Sequence, residues 1–245
     1  MKYGFEYSFS FFRSVLFIVP AILLSTVFWG LLSLLVSPFD KGGRKQAVMA
    51  RLWAKTLLLV SGTRVNVRGL EKLKPGQHYI YVANHRSYMD TPVVLASLPG
   101  AFRFMAKAEL FNIPLMGGHL RRAGHISVPL DKPREAIRSM SEAGRVIREN
   151  KISVLIFPEG GRTMGEMGEF RDGAAFMAIK AQVPVAPIGL IGVHELLPMH
   201  SVHVRPRMVT VNIGDPIPTE GMHTKQRTEL TEQFRQQIST LISYT

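Results

Sequence analysis

The sequence predicts an α/β fold: one domain built on a single mixed sheet with flanking helices, preceded by a hydrophobic membrane-anchoring helix. Three observations carry that prediction. After Gly62, strand-like and helix-like patterns alternate, which is the signature of layered α/β architecture. At 245 residues the chain can build one sizeable core but is short for a second full domain. From Ser14 to Ser37 no residue is charged, with Pro20 and Gly30 as the only breakers, and that run is long enough to cross a bilayer's hydrocarbon.

The anchor comes first. A cleaved signal peptide is the rival reading, but the apolar run is too long and Leu34-Leu35-Val36-Ser37-Pro38 lacks the small-residue cleavage pattern. Lys41, Arg44, Lys45, Arg51 and Lys55 follow the run, against Lys2 and Arg13 before it. The positive-inside rule then places the body of the protein in the cytoplasm. Residues 1–43 are therefore read as the membrane anchor and 44–245 as the remaining domain. Within that domain, 44–61 is a candidate interfacial helix, with Val48, Leu52, Trp53 and Leu57 to Leu59 interleaved with basic residues. It reads equally as a partner of the anchor in one leaflet or as a helix packed on the core.

Short β-branched and aromatic runs predict strands at Arg64–Val67, Tyr79–Ala83, Phe102–Ala106, His125–Val128, Ser153–Phe157, Val185–Ile191 and Met208–Ile213. Helices are predicted at Thr91–Leu98, Ala108–Gly117, Pro133–Glu149, Ala174–Ala181 and Lys225–Ile242. Pro133 suits a first helical turn, and Glu135, Glu142 and Glu149 line up with Arg138, Arg145 and Arg148 as a solvated face. Leu230, Phe234, Ile238, Leu241 and Ile242 form a core-facing stripe on the last helix.

Composition narrows the chemistry. There is no cysteine, which excludes disulfides, thiolate metal sites and an acyl-cysteine intermediate. Lys plus Arg number 30 against 18 Asp plus Glu, a net charge of +12, and such a surplus attracts polyanions. The basic residues are scattered with no nucleic-acid motif to organise them. Together with the anchor, this makes membrane lipid the expected partner, with no nucleic acid expected and nucleic-acid binding kept only as a weak runner-up.

Two segments at predicted strand ends carry the site. Asn84-His85-Arg86-Ser87-Tyr88-Met89-Asp90 follows the second strand, and Asp90-Thr91-Pro92 reads as a helix cap and first turn. A histidine and an aspartate meeting across that turn can take a proton from a hydroxyl. Phe157-Pro158-Glu159-Gly160-Gly161-Arg162-Thr163 follows the fifth strand and sets a carboxylate, two glycines and an arginine on a loop, which suits a phosphate-bearing ligand. No Gly-x-Ser-x-Gly elbow accompanies Ser87, so a serine hydrolase is not expected. His194-Glu195, His200 and His203 lack helical metal-site spacing, Pro198 interrupts them, and no metal is predicted. His119 and His125 read as structural. Phe111, Leu115 and Met116 beside Gly117 and Gly118 fit an acyl-chain groove and ordinary packing equally well.

With these motifs the chain resembles the glycerolipid acyltransferases of the 1-acylglycerol-3-phosphate acyltransferase (lysophosphatidic acid acyltransferase) type. They carry Asn-His, four residues and Asp, then Phe-Pro-Glu-Gly-Thr-Arg-Ser, matched here with Gly161 for Thr and Thr163 for Ser. Val183-Pro184-Val185-Ala186-Pro187 matches a third element, Val-Pro-x-x-Pro. The resemblance covers roughly residues 50 to 215. It implies transfer of an acyl group from an acyl-CoA or acyl carrier protein thioester to the free hydroxyl of 1-acylglycerol 3-phosphate, forming phosphatidic acid. It further implies no cofactor beyond that co-substrate, and a seat on the bacterial inner (cytoplasmic) membrane. His85 and Asp90 are the expected catalytic pair. Glu159, Gly160, Gly161 and Arg162 are the expected acceptor site, with Glu159 accepting from a glycerol hydroxyl or fixing a basic neighbour. The chain departs from the family where an Arg follows a strand: Leu130 falls at that position, with Arg122, Lys132 or Arg134 as substitutes. A lysophospholipid with a larger head group is therefore an alternative acceptor. A non-catalytic anionic-membrane-binding protein of the same fold is the alternative from a different class.

Overall fold

The computed structural model describes residues 2–40 and 42–243, so Lys41 of the basic group after the anchor lies outside the described residues. The apolar run forms one continuous helical rod: α1 (Lys2–Arg13), a π-helical turn (Ser14–Ile18) and α2 (Val19–Val36). Pro20 has no N–H to offer the helix, and the widened turn lies immediately before it. Among the described residues, Tyr7–Phe39 is the one helical stretch long and apolar enough to cross a membrane.

A short turn at Ser37–Phe39 ends the rod, and α3 (Arg44–Val60) returns beside α2. Asp40 caps α3 by accepting from the backbone N–H groups of Arg44 (3.0 Å) and Gln46 (2.8 Å). Two reciprocal bonds staple the pair: Trp29 Nε1 donates to Thr56 Oγ1 at 3.2 Å and Trp53 Nε1 to Thr26 Oγ1 at 3.1 Å. One face of α3 buries Ala54, Leu57 and Leu58, while Val48, Leu52 and Leu59 stay exposed. The helix thus packs on the core and still keeps an apolar strip on its outer side. Arg51 fixes its position by donating to the carbonyls of Leu95, Leu98 and Gly100 at the end of α4 (Asp90–Ser97).

The strands are β1 (Arg64–Arg68), β2 (Ile80–Ala83), β3 (Phe102–Lys107), β4 (Ile126–Val128), β5 (Ser153–Ile156), β6 (Val185–Ile191) and β7 (Met208–Ile213). Each predicted strand forms, within one residue at either end. Among the described residues they make one sheet in the order β1-β7-β6-β2-β5-β3-β4. All neighbours are parallel except β6 and β7, which makes the sheet mixed. At its centre, Tyr81 of β2 sits opposite Leu155 of β5 and Ala186 of β6. Both faces there are covered, so β2 and β5 are buried at every position. Leu57 of α3 with Val93 and Val94 of α4 covers one face. The other is covered by α6 (Pro133–Asn150), α7 (Gly173–Ala181) and α9 (Arg227–Ser243), through Ile147, Met177 and Phe234.

One predicted helix does not form as expected. Instead of a single helix over Ala108–Gly117, a 3₁₀ turn at Ala108–Asn112 is followed by α5 (Met116–Arg122). Pro114 supplies no N–H, and Leu115 adopts φ 65°, ψ −57° while Met116 N–H donates to the Pro114 carbonyl at 2.7 Å. That is the strained form of the three-residue γ-turn, which costs a leucine about 1–3 kcal/mol. On α6, Arg145 bonds Glu142 and Glu149 as the charge stripe predicts. Arg148 turns instead to the carbonyls of Lys180 and Ala181, closing the end of α7.

Candidate active site

The site lies where β2, β3, β5 and β6 end. Asn84 closes β2 and pins it to β6: its side chain donates to the Leu190 carbonyl at 3.1 Å and accepts from the Leu190 N–H at 2.7 Å. His85 follows on the turn. Its Nδ1 lies 2.8 Å from Asp90 Oδ2, and the two residues are 8% and 1% exposed. The same carboxylate oxygen accepts from the backbone N–H groups of Arg86 (2.7 Å) and Ser87 (2.8 Å). Three donors converging on one oxygen fix the acid at the first position of α4. A carboxylate only accepts, so Nδ1 carries the hydrogen and Nε2 presents its lone pair. Phe157 stacks on the imidazole with ring centres 3.8 Å apart and planes 12° from parallel, fixing the plane in which that lone pair points.

Glu159 joins the two motifs. Its carboxylate accepts from the His85 N–H (2.6 Å), the Thr163 hydroxyl (2.7 Å) and the Gly168 N–H (3.0 Å). The expectation that it fixes a basic neighbour is therefore corrected: it organises backbone donors and a hydroxyl around the histidine loop. Thr163 completes the tie by donating its N–H to the His85 carbonyl at 3.0 Å. The hydroxyl of Ser87 donates to the Leu197 carbonyl (2.8 Å) and accepts from the Met89 N–H (3.1 Å). It braces the turn and points away from nucleophilic chemistry.

Arg162 reaches back across the same turn. Its Nε donates to the Ser87 carbonyl at 3.0 Å and its guanidinium lies over the Tyr88 ring, 4.6 Å from the centroid. Among the described residues no carboxylate pairs with it, which leaves its outer nitrogens for an anion. Gly160, at φ +73°, makes room for Arg171: a Cβ there would lie 3.1 Å from Arg171 Nε. A Cβ on Gly161 would lie 3.7 Å from Lys107 Nζ, so that ammonium rests beside the second glycine. The loop is thus flanked by three cations, two of which, Lys107 and Arg171, sequence reasoning missed. One signal was available for Lys107, which ends a parallel strand at the edge where open α/β sheets bind ligands. Arg171 carried none. Of the substitutes expected for the family's arginine, Lys132 pairs with Glu135 at 3.4 Å. The guanidinium of Arg122 sits against Gly118 of α5.

Four of the other histidines have structural partners. His125 Nδ1 accepts from the Phe104 N–H at 2.8 Å, and burial pushes its pKa down to about 3. His119 bonds Ser33 of α2 at 2.7 Å, and burial together with the Arg103 charge lowers its pKa as well. His194, on the short helix α8 (Val193–Leu196), lies 3.2 Å from the Arg86 carbonyl, while His203 bonds Ser10 of α1 at 3.0 Å. Among the described residues no three His, Asp or Glu side chains are grouped to hold a metal ion.

Comparison with known proteins points in one direction. The family model described as Acyltransferase matches residues 64–191. A 1-acyl-sn-glycerol-3-phosphate acyltransferase of Limnanthes douglasii is 32% identical over 201 residues, 81% of this chain and 71% of that protein. The human 1-acyl-sn-glycerol-3-phosphate acyltransferase alpha is 31% identical over 192 residues, 78% of this chain and 68% of its own. Among solved structures, the 1-acyl-sn-glycerophosphate (LPA) acyltransferase PlsC of Thermotoga maritima superposes with a TM-score of 0.77. It shares 24% identity and covers 96% of this chain and 97% of its own.

Proposed function

Because the chain belongs to the 1-acyl-sn-glycerol-3-phosphate acyltransferase family, we propose that it transfers an acyl group from acyl-CoA or acyl carrier protein to the free hydroxyl of 1-acylglycerol 3-phosphate, giving phosphatidic acid. The observation that carries this reading is the buried His85–Asp90 pair, 2.8 Å apart, beside a glycine loop flanked by Arg162, Lys107 and Arg171.

The chemistry follows from those positions. As the acceptor oxygen attacks the thioester carbonyl, its proton passes to His85 Nε2. Asp90 then faces the imidazolium across the other ring nitrogen. Collapse of the tetrahedral adduct breaks the carbon–sulfur bond, and the leaving thiolate takes the proton back from His85. No covalent enzyme intermediate is required, since the thioester is already activated. Arg162, Lys107 and Arg171 hold the acceptor's phosphate through charge-assisted hydrogen bonds.

The apolar rod and the outer strip of α3 are the membrane-facing surface, and the catalytic domain sits on the cytoplasmic side of a bacterial inner membrane. α2 is bonded to α3 at both Trp–Thr pairs and to α5 through Ser33 and His119. α1 is held to the catalytic domain by His203 against Tyr7 and Phe11, and the π-helical turn after it by the Ser14 hydroxyl donating to the Val204 carbonyl. These ties favour a hairpin entering from one leaflet over a rod that leaves the domain to span.

Leu130 at the family's arginine position favours a second acceptor class, a lysophospholipid with a larger head group. Purified membranes given one labelled acyl donor and, in parallel, glycerol 3-phosphate, lysophosphatidic acid and a lysophospholipid with a larger head group separate the readings. Phosphatidic acid as the dominant product is the expected result. Acylation of the larger acceptor alone favours the second reading, and no product from any acceptor leaves a non-catalytic lipid-binding protein.

A further inference from the structure

The apolar helix α2 does more than face lipid. Gly30, Ser33 and Leu34 lie on one stripe, three and four residues apart, and each meets the connection between β3 and β4. A Cβ on Gly30 would lie 2.9 Å from Leu115 Cδ2 and 3.0 Å from Cγ, so the leucine seats in a notch that the missing side chain leaves. Ser33 Oγ lies 2.7 Å from His119 Nδ1. A Cβ on Gly118 would lie 3.3 Å from Leu34 Cδ2.

The residue in the notch is also the strained one, since Leu115 carries φ 65° and ψ −57°. Such a conformation persists only where its surroundings over-determine it. α2 supplies one wall. The other is the preceding 3₁₀ turn, where Gly117 packs so closely that a Cβ there would fall 1.9 Å from the Phe111 carbonyl oxygen. Arg121 donates to that same oxygen. This turn follows directly on Lys107, the cation beside Gly161.

We propose that the Gly30–Ser33–Leu34 stripe of the membrane-facing helix is a positioning element for the acceptor's phosphate. By gripping Leu115 and α5 it holds the 108–119 segment rigid and keeps Lys107 against the glycine loop. The inference rests on the acyltransferase reading above only for its activity readout. Its physical content, that α2 orders the β3–β4 connection, stands apart from what the substrate is.

The test is a size swap. Gly30→Leu fills the notch and expels Leu115 without making α2 less apolar. The expected result is an acceptor KM raised at least tenfold, with kcat within about threefold of native and membrane attachment unchanged. Leu115→Gly in the same chain removes the knob and accepts the positive φ, and it should bring KM back to within about threefold. Ser33→Ala, which adds no volume, should raise KM by a few fold. Amide hydrogen exchange over 108–119 should quicken in both Gly30→Leu and Ser33→Ala.

An unchanged KM with unchanged exchange in Gly30→Leu would overturn the proposal. So would a raised KM that Leu115→Gly does not relieve. A shift in preferred acyl length with acceptor KM untouched would also overturn it, by making the notch part of an acyl groove. If native protein acylates nothing, the acyltransferase reading fails by itself, and quickened exchange in the variants still decides whether α2 orders the segment.

Discussion

Asp90→Asn isolates the charge of the dyad while keeping its shape. Asp90 Oδ2 accepts from His85 Nδ1, Arg86 N–H and Ser87 N–H at 2.7–2.8 Å. An amide oxygen in that place can keep all three bonds, because an amide nitrogen there would face two backbone donors. What disappears is the attraction between a carboxylate and the imidazolium that forms during transfer. Unit charges about 4 Å apart at an effective dielectric near 20 attract by about 4 kcal/mol, which corresponds to about a thousandfold in rate. The expected outcome in membranes with labelled thioester and lysophosphatidic acid is a kcat lower by about that factor. Acceptor KM should stay within about threefold, since Asp90 is buried behind the ring and touches no substrate. Circular dichroism and membrane attachment should match the native protein. A folded Asp90→Asn with kcat within tenfold of native would refute an electrostatic role and leave Asp90 as a helix cap.

Four further outcomes are expected. Lys107→Ala and Arg171→Ala each remove a charge-assisted contact worth about 1.5–3 kcal/mol, so acceptor KM should rise roughly ten- to a hundredfold with kcat little changed; steady-state kinetics with an unaltered KM would place the phosphate elsewhere. Glu159→Ala strips three donors of their acceptor and should cost about 2–4 kcal/mol, read as a lower thermal midpoint together with lost activity. His125 is kept neutral by burial, with a pKa near 3 against an ordinary 6.5. The unfolded chain therefore binds more protons between those values, and stability falls as pH drops through that window, by about 1.4 kcal/mol per pH unit. Melting curves from pH 7.5 to 5 should show the loss, and His125→Asn, which keeps an acceptor for the Phe104 N–H without titrating, should lessen it. Because the chain has no cysteine, single cysteines at Tyr7 and Thr224 report sidedness. Labelling of both by an impermeant maleimide from the same side of sealed vesicles supports the one-leaflet hairpin, and labelling from opposite sides supports a span.

The fold was readable where local pattern and tertiary demand agree. Ile80 to Ala83 and Ser153 to Ile156 are buried on both faces, so their continuous apolar runs announced themselves, as did the stripe of α9. The 108–117 segment was misread because its helical composition is overruled by Pro114, by the close approach of Gly117 to the Phe111 carbonyl, and by contacts with α2 that no local window contains. Within the site, His85 and Asp90 were legible because both sit on one short turn. Lys107 offered only its place at the end of a strand and Arg171 offered no signal, since each approaches the glycine loop through space. Glu159 sits where expected, and charge logic alone could not reveal that its oxygens accept from His85, Thr163 and Gly168 rather than from a basic side chain.

Replacing His85 by alanine and following transfer from labelled thioester to lysophosphatidic acid tests the imidazole most directly. Loss of the base should lower turnover by about 10²–10⁴-fold, with the protein folded, membrane-bound and still able to bind the acceptor. A His85→Ala protein that meets those conditions and turns over at the native rate would contradict proton removal by His85.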